Sequence, residues 1–337
     1  MATAVLLLSR TMMTTEIPPT STPAQTQVPI IFDRAAKRRQ RDRSALGANS
    51  RLVDYLKDEM ADRLVDRFLD IKRQFGTVLD MGSGYGHIIK FADPETIKKI
   101  VMMDMSEKML LRDKDIPYPV ESERRVGDEE ALPFADNTFD AIVSNLSLHW
   151  VNDLTGSLIQ ARHALKPDGA FIASMFGGDT LFELRTSLQL AQMERDGGVS
   201  PHVSPMTDVR DAGNLLSRAG LNLTTVDVEE IVVNYPSMME LMDDLRAMGE
   251  GNAVLHRKPS LSKDVFMAGA AVYQNIYGNE DGTIPATFQI ICMIGWKPSD
   301  LQPKPLPRGS GEVSLKTLEQ NAGNYTTATD DEGAQNK

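Results

Sequence analysis

"VLDMGSGYGHI", residues 78–88, decides the fold class of this 337-residue chain. A short apolar run reaches Asp80, glycines follow at positions 82, 84 and 86, and a helical stretch comes next. Such a turn lets the backbone approach a ligand where any Cβ would clash. A dinucleotide fingerprint needs G-x-G-x-x-G/A, but the third position counted from Gly82 is His87. The stretch therefore predicts a nucleotide-bearing cofactor other than a nicotinamide dinucleotide.

Acidic residues stand at the ends of three successive predicted strands. Asp80, Asp104 and Asp128 are spaced 24 residues apart, which fits consecutive βα units. An acid beside the glycine turn would repel a pyrophosphate, whereas it could attract the ammonium of an amino-acid-like cofactor, usually through water. S-adenosylmethionine (SAM) has that ammonium and no phosphate. Asp104 could accept both ribose hydroxyls of SAM, and Asp128 could accept the adenine amino group.

The end of the fourth predicted strand adds one polar group to this site. Asn145 could hydrogen-bond the methionine part of SAM. The residues expected to contact the cofactor are Asp80, Gly82, Gly84, Gly86, Asp104, Met105, Asp128, Glu129 and Asn145.

Strands and helices alternate through the first half of the chain, which predicts βαβ units and a mostly parallel sheet with helices on both faces. The α/β fold is expected over residues 77–300, with helical insertions at about 180–210 and 236–265. Residues 29–76 read as a basic, helical extension, and residues 1–28 and 301–337 as disordered. The single cysteine, Cys292, lies in an apolar run and is expected to be a buried, inert thiol.

The charge and composition of the chain limit the classes of partner that it can bind. The net charge of −11 argues against a broad nucleic-acid surface. The basic run "DRAAKRRQRDR", residues 33–43, is either a solvated helix face or a contact for an acidic partner or anionic lipid. Residues 1–27 are rich in Ala, Ser, Thr and Met and have no acid before Glu16, so they fit either a mitochondrial transit peptide or a plain tail.

Several stretches resemble the class I SAM-dependent methyltransferases: "LDMGSGYGHI", "DMSEKML", "DEEALPFADNTFDAIVSNLSLHWV" and "ALKPDGAFIASMFGG". The resemblance covers roughly residues 54–297. It implies a seven-stranded sheet whose last strand is antiparallel.

More specific stretches include "IFDRAAKRRQR", "SNLSLHWVNDL" and "NEDGTIPATFQIICMIGWK". Together, over about residues 31–297, they resemble a family of mitochondrial complex I assembly factors that have a methyltransferase fold but are assigned arginine hydroxylation. This resemblance implies a matrix protein peripheral to the inner membrane, acting on an iron–sulfur subunit of the matrix arm, and it favours the transit peptide. Methyltransferases acting on the malonyl group of an acyl carrier protein are the nearest cousins by motif.

Candidates for the chemistry are His149, Asp179 and Glu183. His149 is either a pocket wall or half of a packed His–Trp pair. Glu183 could bind a guanidinium, but Thr180 to Glu183 also forms a capping box, which is the favoured interpretation. No histidine begins the H-x-D/E pattern of an oxygen-activating iron site. A dispersed metal site from His149, His202 and Asp179 is the alternative.

An acidic stripe near "MELMDDLRAMGE" reads as a solvated face or as a set of acids for a substrate arginine; its members are Glu240, Asp243, Asp244 and Glu250. The nearby methionines are expected to form a core face. Three functions stay open: an arginine hydroxylase that uses an unidentified metal or oxidant, a SAM-dependent methyltransferase on a small molecule or acyl carrier, and a non-catalytic assembly chaperone.

Overall fold

A computed structural model of the protein describes residues 29–258 and 260–303. The expected targeting segment, residues 1–28, and nearly all of the expected tail, residues 304–337, lie outside the described residues.

The described residues form a seven-stranded sheet in the order β3-β2-β1-β4-β5-β7-β6. Strands β1 to β5 pair in parallel, and β7 runs antiparallel to both β5 and β6. This confirms the expected mostly parallel sheet with an antiparallel last strand. The strands are β1 Phe75–Met81, β2 Ile97–Asp104, β3 Glu121–Val126, β4 Phe139–Asn145, β5 Leu165–Phe176, β6 Asn222–Tyr235 and β7 Ile284–Trp296.

Nine α-helices lie within the described residues, together with a short 3₁₀ turn at Leu148–Trp150. The helices are α1 Arg34–Leu46, α2 Tyr55–Asp70, α3 His87–Phe91, α4 Glu107–Arg112, α5 Leu154–Ala164, α6 Phe182–Arg195, α7 Val209–Arg218, α8 Met238–Ala247 and α9 Lys263–Tyr277. Helix α6 and helix α8 fall in the two segments expected to be helical insertions. No helix among the described residues has the length and apolarity needed to cross a membrane.

The central strands are continuous apolar runs because helices cover both faces of a parallel sheet. Strands β1 and β2 are buried almost throughout, and Phe75 already pairs with Ile97. Strand β1 therefore begins two residues inside the extension expected for 29–76. Ser106 caps the amino end of α4, since its Oγ accepts from the amide of Met109 at 3.2 Å.

The carboxyl ends of β1, β2 and β4 meet along one edge of the sheet. In register, Asp80 stands opposite Met102, and Asp104 ends the neighbouring strand. Ligands of open α/β sheets bind outside this edge. The fold thus brings the expected site residues to one place.

Candidate functional site

The glycine turn after β1 has the backbone geometry that the sequence indicates. Gly82, Gly84 and Gly86 have φ values of 75°, 56° and 93°, which favour glycine. A Cβ added at Gly84 would meet nothing closer than 3.8 Å. The turn therefore leaves open space beside the Cα of Gly84.

Asp80 lies under this turn with no exposed surface. Neither of its carboxylate oxygens has a hydrogen-bond partner within residues 29–258 and 260–303. Burial, and then the nearby Asp104, raise the pKa of Asp80 to about 8. Burial thus favours the neutral form of this carboxyl, and a cationic ligand beside it would favour the ionised form.

Asp104, expected to hold the ribose, is saturated by the chain itself. Its Oδ2 accepts from the amide of Gly84 at 3.0 Å and from Nη1 of Arg41 at 3.0 Å. Its Oδ1 accepts from the amide of Ser106 at 2.8 Å. The neighbouring Met105 is buried. The carboxylate faces the glycine turn, but the guanidinium of Arg41 already occupies its free side.

Glu129 crosses the space between the end of β3 and the glycine turn. Its carboxylate accepts from Ser147 Oγ at 2.8 Å and lies 3.4 Å from Nη1 of Arg41, and it also pairs with Arg34. Burial alone would raise the pKa of Glu129, but Arg41 and Arg34 lower it to about 2. A Cβ placed on Gly82 would be 2.8 Å from Oε1 of Glu129.

Asp128 lies at the open end of the same cleft. Its side chain is 41% exposed, and Oδ1 accepts from Arg34 at 2.5 Å and from the amide of Glu130 at 2.9 Å. We name the four acids of this edge the acid cleft: Asp80, Asp104, Asp128 and Glu129. Arg34 and Arg41 link three of them into one network.

The basic helix α1 is therefore part of the site, and both interpretations of the basic run were wrong for its inner face. Arg34, Lys37 and Arg41 recur at spacings of three and four, so they share one side of α1. Lys37 is fully buried, and its Nζ lies 3.2 Å from the ring centroid of Trp150. Arg39 and Arg43, on the outer side of α1, are exposed.

The acid cleft fits part of a SAM molecule. The glycine turn and Asp80 suit the amino-acid end, because Asp80 has no donor of its own among the described residues. The adenosine end does not fit as the side chains stand. Arg41 and Glu129 fill the space between Asp104 and the end of β3. SAM would enter only after these two side chains move.

The end of β4 places a second buried network beside the cleft. Glu250 accepts from Nε1 of Trp150 at 2.7 Å and from Nζ of Lys57 at 2.7 Å, and it lies 3.4 Å from Nε2 of His149. Burial lowers the pKa of His149, and Glu250 opposes this effect only in part. Asn145 donates to the carbonyl of Lys57 at 2.8 Å. His149 thus belongs to a packed His–Trp pair.

A cavity of about 1020 Å³ opens on the other side of Trp150, under α6, α8 and α9. We name it the lid cavity. Most of its wall is apolar, and Met239 and Met242 line it, so only part of the expected methionine core face is core. Its charged lining comprises Arg43, Asp243, Arg246, Glu250, Lys258 and Lys263.

The predicted capping box at α6 is wrong. Helix α6 starts after Leu181, which has no side-chain cap, and Glu183 instead accepts from the amide and hydroxyl of Thr287 on β7. Thr180 donates to the carbonyl of Gln289 at 2.9 Å. Glu183 therefore joins α6 to the sheet, and its role in chemistry stays a prediction.

The dispersed metal site is also not assembled. Asp179 is exposed and accepts from Nε2 of Gln289 at 2.9 Å, and His202 contacts Gln192 at 2.9 Å. Within the described residues, no group of three His, Cys, Asp or Glu side chains could hold a metal ion. Cys292 is buried as expected, and burial raises its pKa to about 11.

Comparison with known proteins agrees with this architecture. Residues 79–173 match the model of a methyltransferase domain, which supports SAM binding. A Danio rerio protein named mitochondrial arginine-hydroxylase NDUFAF5 is 50% identical over 288 residues, covering 86% of this chain and 89% of that protein. A malonyl-[acyl-carrier protein] O-methyltransferase of Methylovorus is 31% identical, covering 80% of this chain and 90% of that protein.

A solved structure shows the same fold. The chain superposes on a candidate methyltransferase from Bacillus halodurans with a TM-score of 0.50 and 18% identity, covering 70% of this chain and 99% of that one. At this identity the likeness concerns the fold alone.

Proposed function

The chain belongs to the family of mitochondrial arginine hydroxylases named NDUFAF5, and from this premise we propose that it hydroxylates an arginine in an iron–sulfur subunit of the matrix arm of respiratory complex I. The reaction would serve an early step of complex I assembly. It would take place in the mitochondrial matrix, at the inner-membrane surface.

One observation carries this proposal. The 50% sequence identity to an arginine hydroxylase extends over 86% of the chain, whereas the methyltransferase-domain match covers only residues 79–173. The likeness therefore includes much of the chain outside the domain that all SAM enzymes of this class share. The charges agree, because the sheet edge carries several carboxylates and a substrate arginine is a cation.

Hydroxylation of an arginine has two requirements. A C–H bond must become C–OH, which takes one oxygen atom from an oxidant, and the arginine must be held while this happens. The described residues offer carboxylates for the second task. SAM, when bound, supplies an electrophilic methyl group, and the acid cleft would hold its ammonium and hydroxyls.

A methyltransferase acting on a small molecule or acyl carrier is the second candidate. The domain match and the 31% identity to a malonyl-[acyl-carrier protein] O-methyltransferase favour it. The filled adenosine end of the acid cleft speaks against it. A non-catalytic assembly chaperone is the third candidate.

Intact-mass measurement of the complex I iron–sulfur subunit tests the first candidate against the other two. The subunit is isolated from cells that lack this chain and from the same cells with the chain restored. Hydroxylation adds about 16 Da on restoration and methylation about 14 Da, since each changes one C–H, N–H or O–H bond. An unchanged mass with restored complex I would leave the chaperone and a methyltransferase that acts on another molecule. Fragment masses must assign an added oxygen to an arginine.

A further inference from the structure

Arg41 lies in the acid cleft as a bound guanidinium would. Its Nη1 contacts Asp104 at 3.0 Å and Glu129 at 3.4 Å. Its Nη2 donates to the hydroxyl of Ser147 at 2.8 Å, and only 3% of the side chain is exposed. Acceptors spread around a planar cation select a guanidinium over an ammonium, because an ammonium is a compact point charge.

Asp80 adds a carboxyl that no described part of the chain uses. It is fully buried, both of its oxygens lack a partner within residues 29–258 and 260–303, and it stands one strand from Asp104. A buried acceptor without a donor costs free energy, so an unsatisfied group of this kind calls for an explanation such as a ligand. A cation entering the cleft would supply the missing donors.

The lid cavity is the poorer place for a guanidinium. Its lining carries Arg43, Arg246, Lys258 and Lys263, and of its two acids Glu250 is already bonded to Lys57 and Trp150. The other acid, Asp243, pairs with Arg246 at 2.9 Å. A substrate arginine would meet more cations than free carboxylates there.

We infer that the acid cleft is the site that recognises the substrate arginine, and that Arg41 of α1 holds it as an internal substitute. The substrate guanidinium takes the place of Arg41 against Asp104, Glu129 and Ser147, and Asp80 provides an additional acceptor. This inference rests on the proposed function for the identity of the substrate.

Exchange requires α1 to move, because Arg41 projects from its inner face. The helix is tied to the 249–253 segment by Lys37, which donates to the carbonyls of Gly249 and Gly251 at 3.0 and 2.8 Å. Asp33 continues this attachment, since its amide donates to Ala253 at 2.8 Å. The same movement would clear the adenosine end of the cleft for SAM. Because SAM and the substrate arginine would both contact Asp104, the two exclude each other at this cleft.

The test measures binding of blocked arginine, Nα-acetyl-arginine methylamide, to the full chain by calorimetry. In the wild type, Arg41 competes for the site and reduces the apparent affinity. Arg41→Ala should therefore bind the probe at least roughly ten-fold more tightly. Arg39→Ala, a substitution on the same helix at a side chain that is 65% exposed, should bind it as the wild type does. Blocked citrulline, which has the same shape without the charge, should bind neither the wild type nor the two variants.

Two further measurements keep the inference falsifiable. Arg41→Met retains the buried volume if the alanine variant unfolds, and Asp80→Asn added to either variant should remove the gain. Unchanged affinity for blocked arginine in a folded Arg41 variant overturns the inference. So does a variant that gains affinity for SAM but not for arginine, because the cleft would then be a cofactor site closed by α1.

The proposed function can fail separately. Addition of 16 Da by the wild type, with no gain of arginine binding in the Arg41 variants, refutes only this inference. Arginine binding without added oxygen on the subunit refutes only the proposed function.

Discussion

The acid cleft and the lid cavity lie side by side at the carboxyl edge of the sheet, but charged side chains line the first and mostly apolar side chains line the second. The cleft is a buried charge network in which Arg34 and Arg41 hold Asp104, Asp128 and Glu129. The cavity is a mostly apolar volume of about 1020 Å³. Trp150 stands between them, with Lys37 on its face and the cavity beyond.

The two regions therefore contribute to the free energy of unfolding in different ways. Buried ion pairs tolerate the loss of one partner poorly, because the other charge stays desolvated. An apolar wall that already borders a cavity loses packing in small steps. Substitutions in the cleft should therefore have large effects that depend on pH, and substitutions in the cavity should have smaller effects that do not.

The largest effect is expected for Glu129→Ala. It removes a carboxylate from Arg34 and Arg41, so the free energy of unfolding should fall by about 3–5 kcal/mol at pH 7. Urea denaturation followed by circular dichroism measures this loss. Glu123→Ala, on the exposed side of β3, is the control and should leave the unfolding midpoint unchanged.

The pH dependence gives Glu129 a second signature. Its folded pKa, about 2, is below its ordinary value of 4.5 because of the two arginines. A depressed pKa stabilises the fold above the ordinary value, and this contribution is lost as the pH falls towards 2. The difference between wild type and Glu129→Ala should shrink on acidification, and a constant difference would contradict the ion-pair assignment.

Asp80→Asn should act in the opposite direction. The folded pKa of Asp80, about 8, is above its ordinary value of 3.8. Its neutral form therefore favours the fold below pH 4, and that contribution is lost as the pH rises through 8. The asparagine variant should be more stable than wild type by on the order of 2–4 kcal/mol at pH 9, with little gain at pH 4.

Denaturation series at several pH values measure this gain. Asp104→Asn is the matched control, because Asp104 accepts from three donors, Arg41 and the amides of Gly84 and Ser106, whereas Asp80 has none among the described residues. It should lose stability at pH 7 and at pH 9 alike, because the buried guanidinium of Arg41 loses a charged partner. A loss for Asp80→Asn at pH 9 would mean that Asp80 is ionised and bonded in the folded chain.

The sequence allowed the fold to be predicted because the ends of β1, β2 and β5 are marked locally, each by an apolar run that stops at Gly or Asp. It also placed the acids correctly, since the carboxyl ends of parallel strands share an edge. The spacing of Arg34, Lys37 and Arg41 marks one helix face, but nothing local shows that this face meets acids about 60 to 100 residues away. Glu183 was misassigned for the same reason, because its partner, Thr287, is 104 residues distant.

The smallest effect is expected in the lid cavity. Leu184 is 4% exposed and lines the cavity, so Leu184→Ala enlarges an existing space and should cost about 2 kcal/mol, near the low end for buried leucine. Met239→Ala, at a residue that is 55% exposed on the same wall, should cost less than about 0.5 kcal/mol. Neither loss should change between pH 5 and pH 8.

The double variant Leu184→Ala with Glu129→Ala then asks whether the two halves are independent. Distant sites without shared partners add within about 0.5 kcal/mol. Helix α1 reaches both halves, because Arg41 lies in the cleft while Gln40 and Arg43 line the cavity. Strict additivity would show that α1 does not couple them. A smaller combined loss would mean that α1 has already detached in the Glu129 variant and that opening the cleft also loosens the lid cavity.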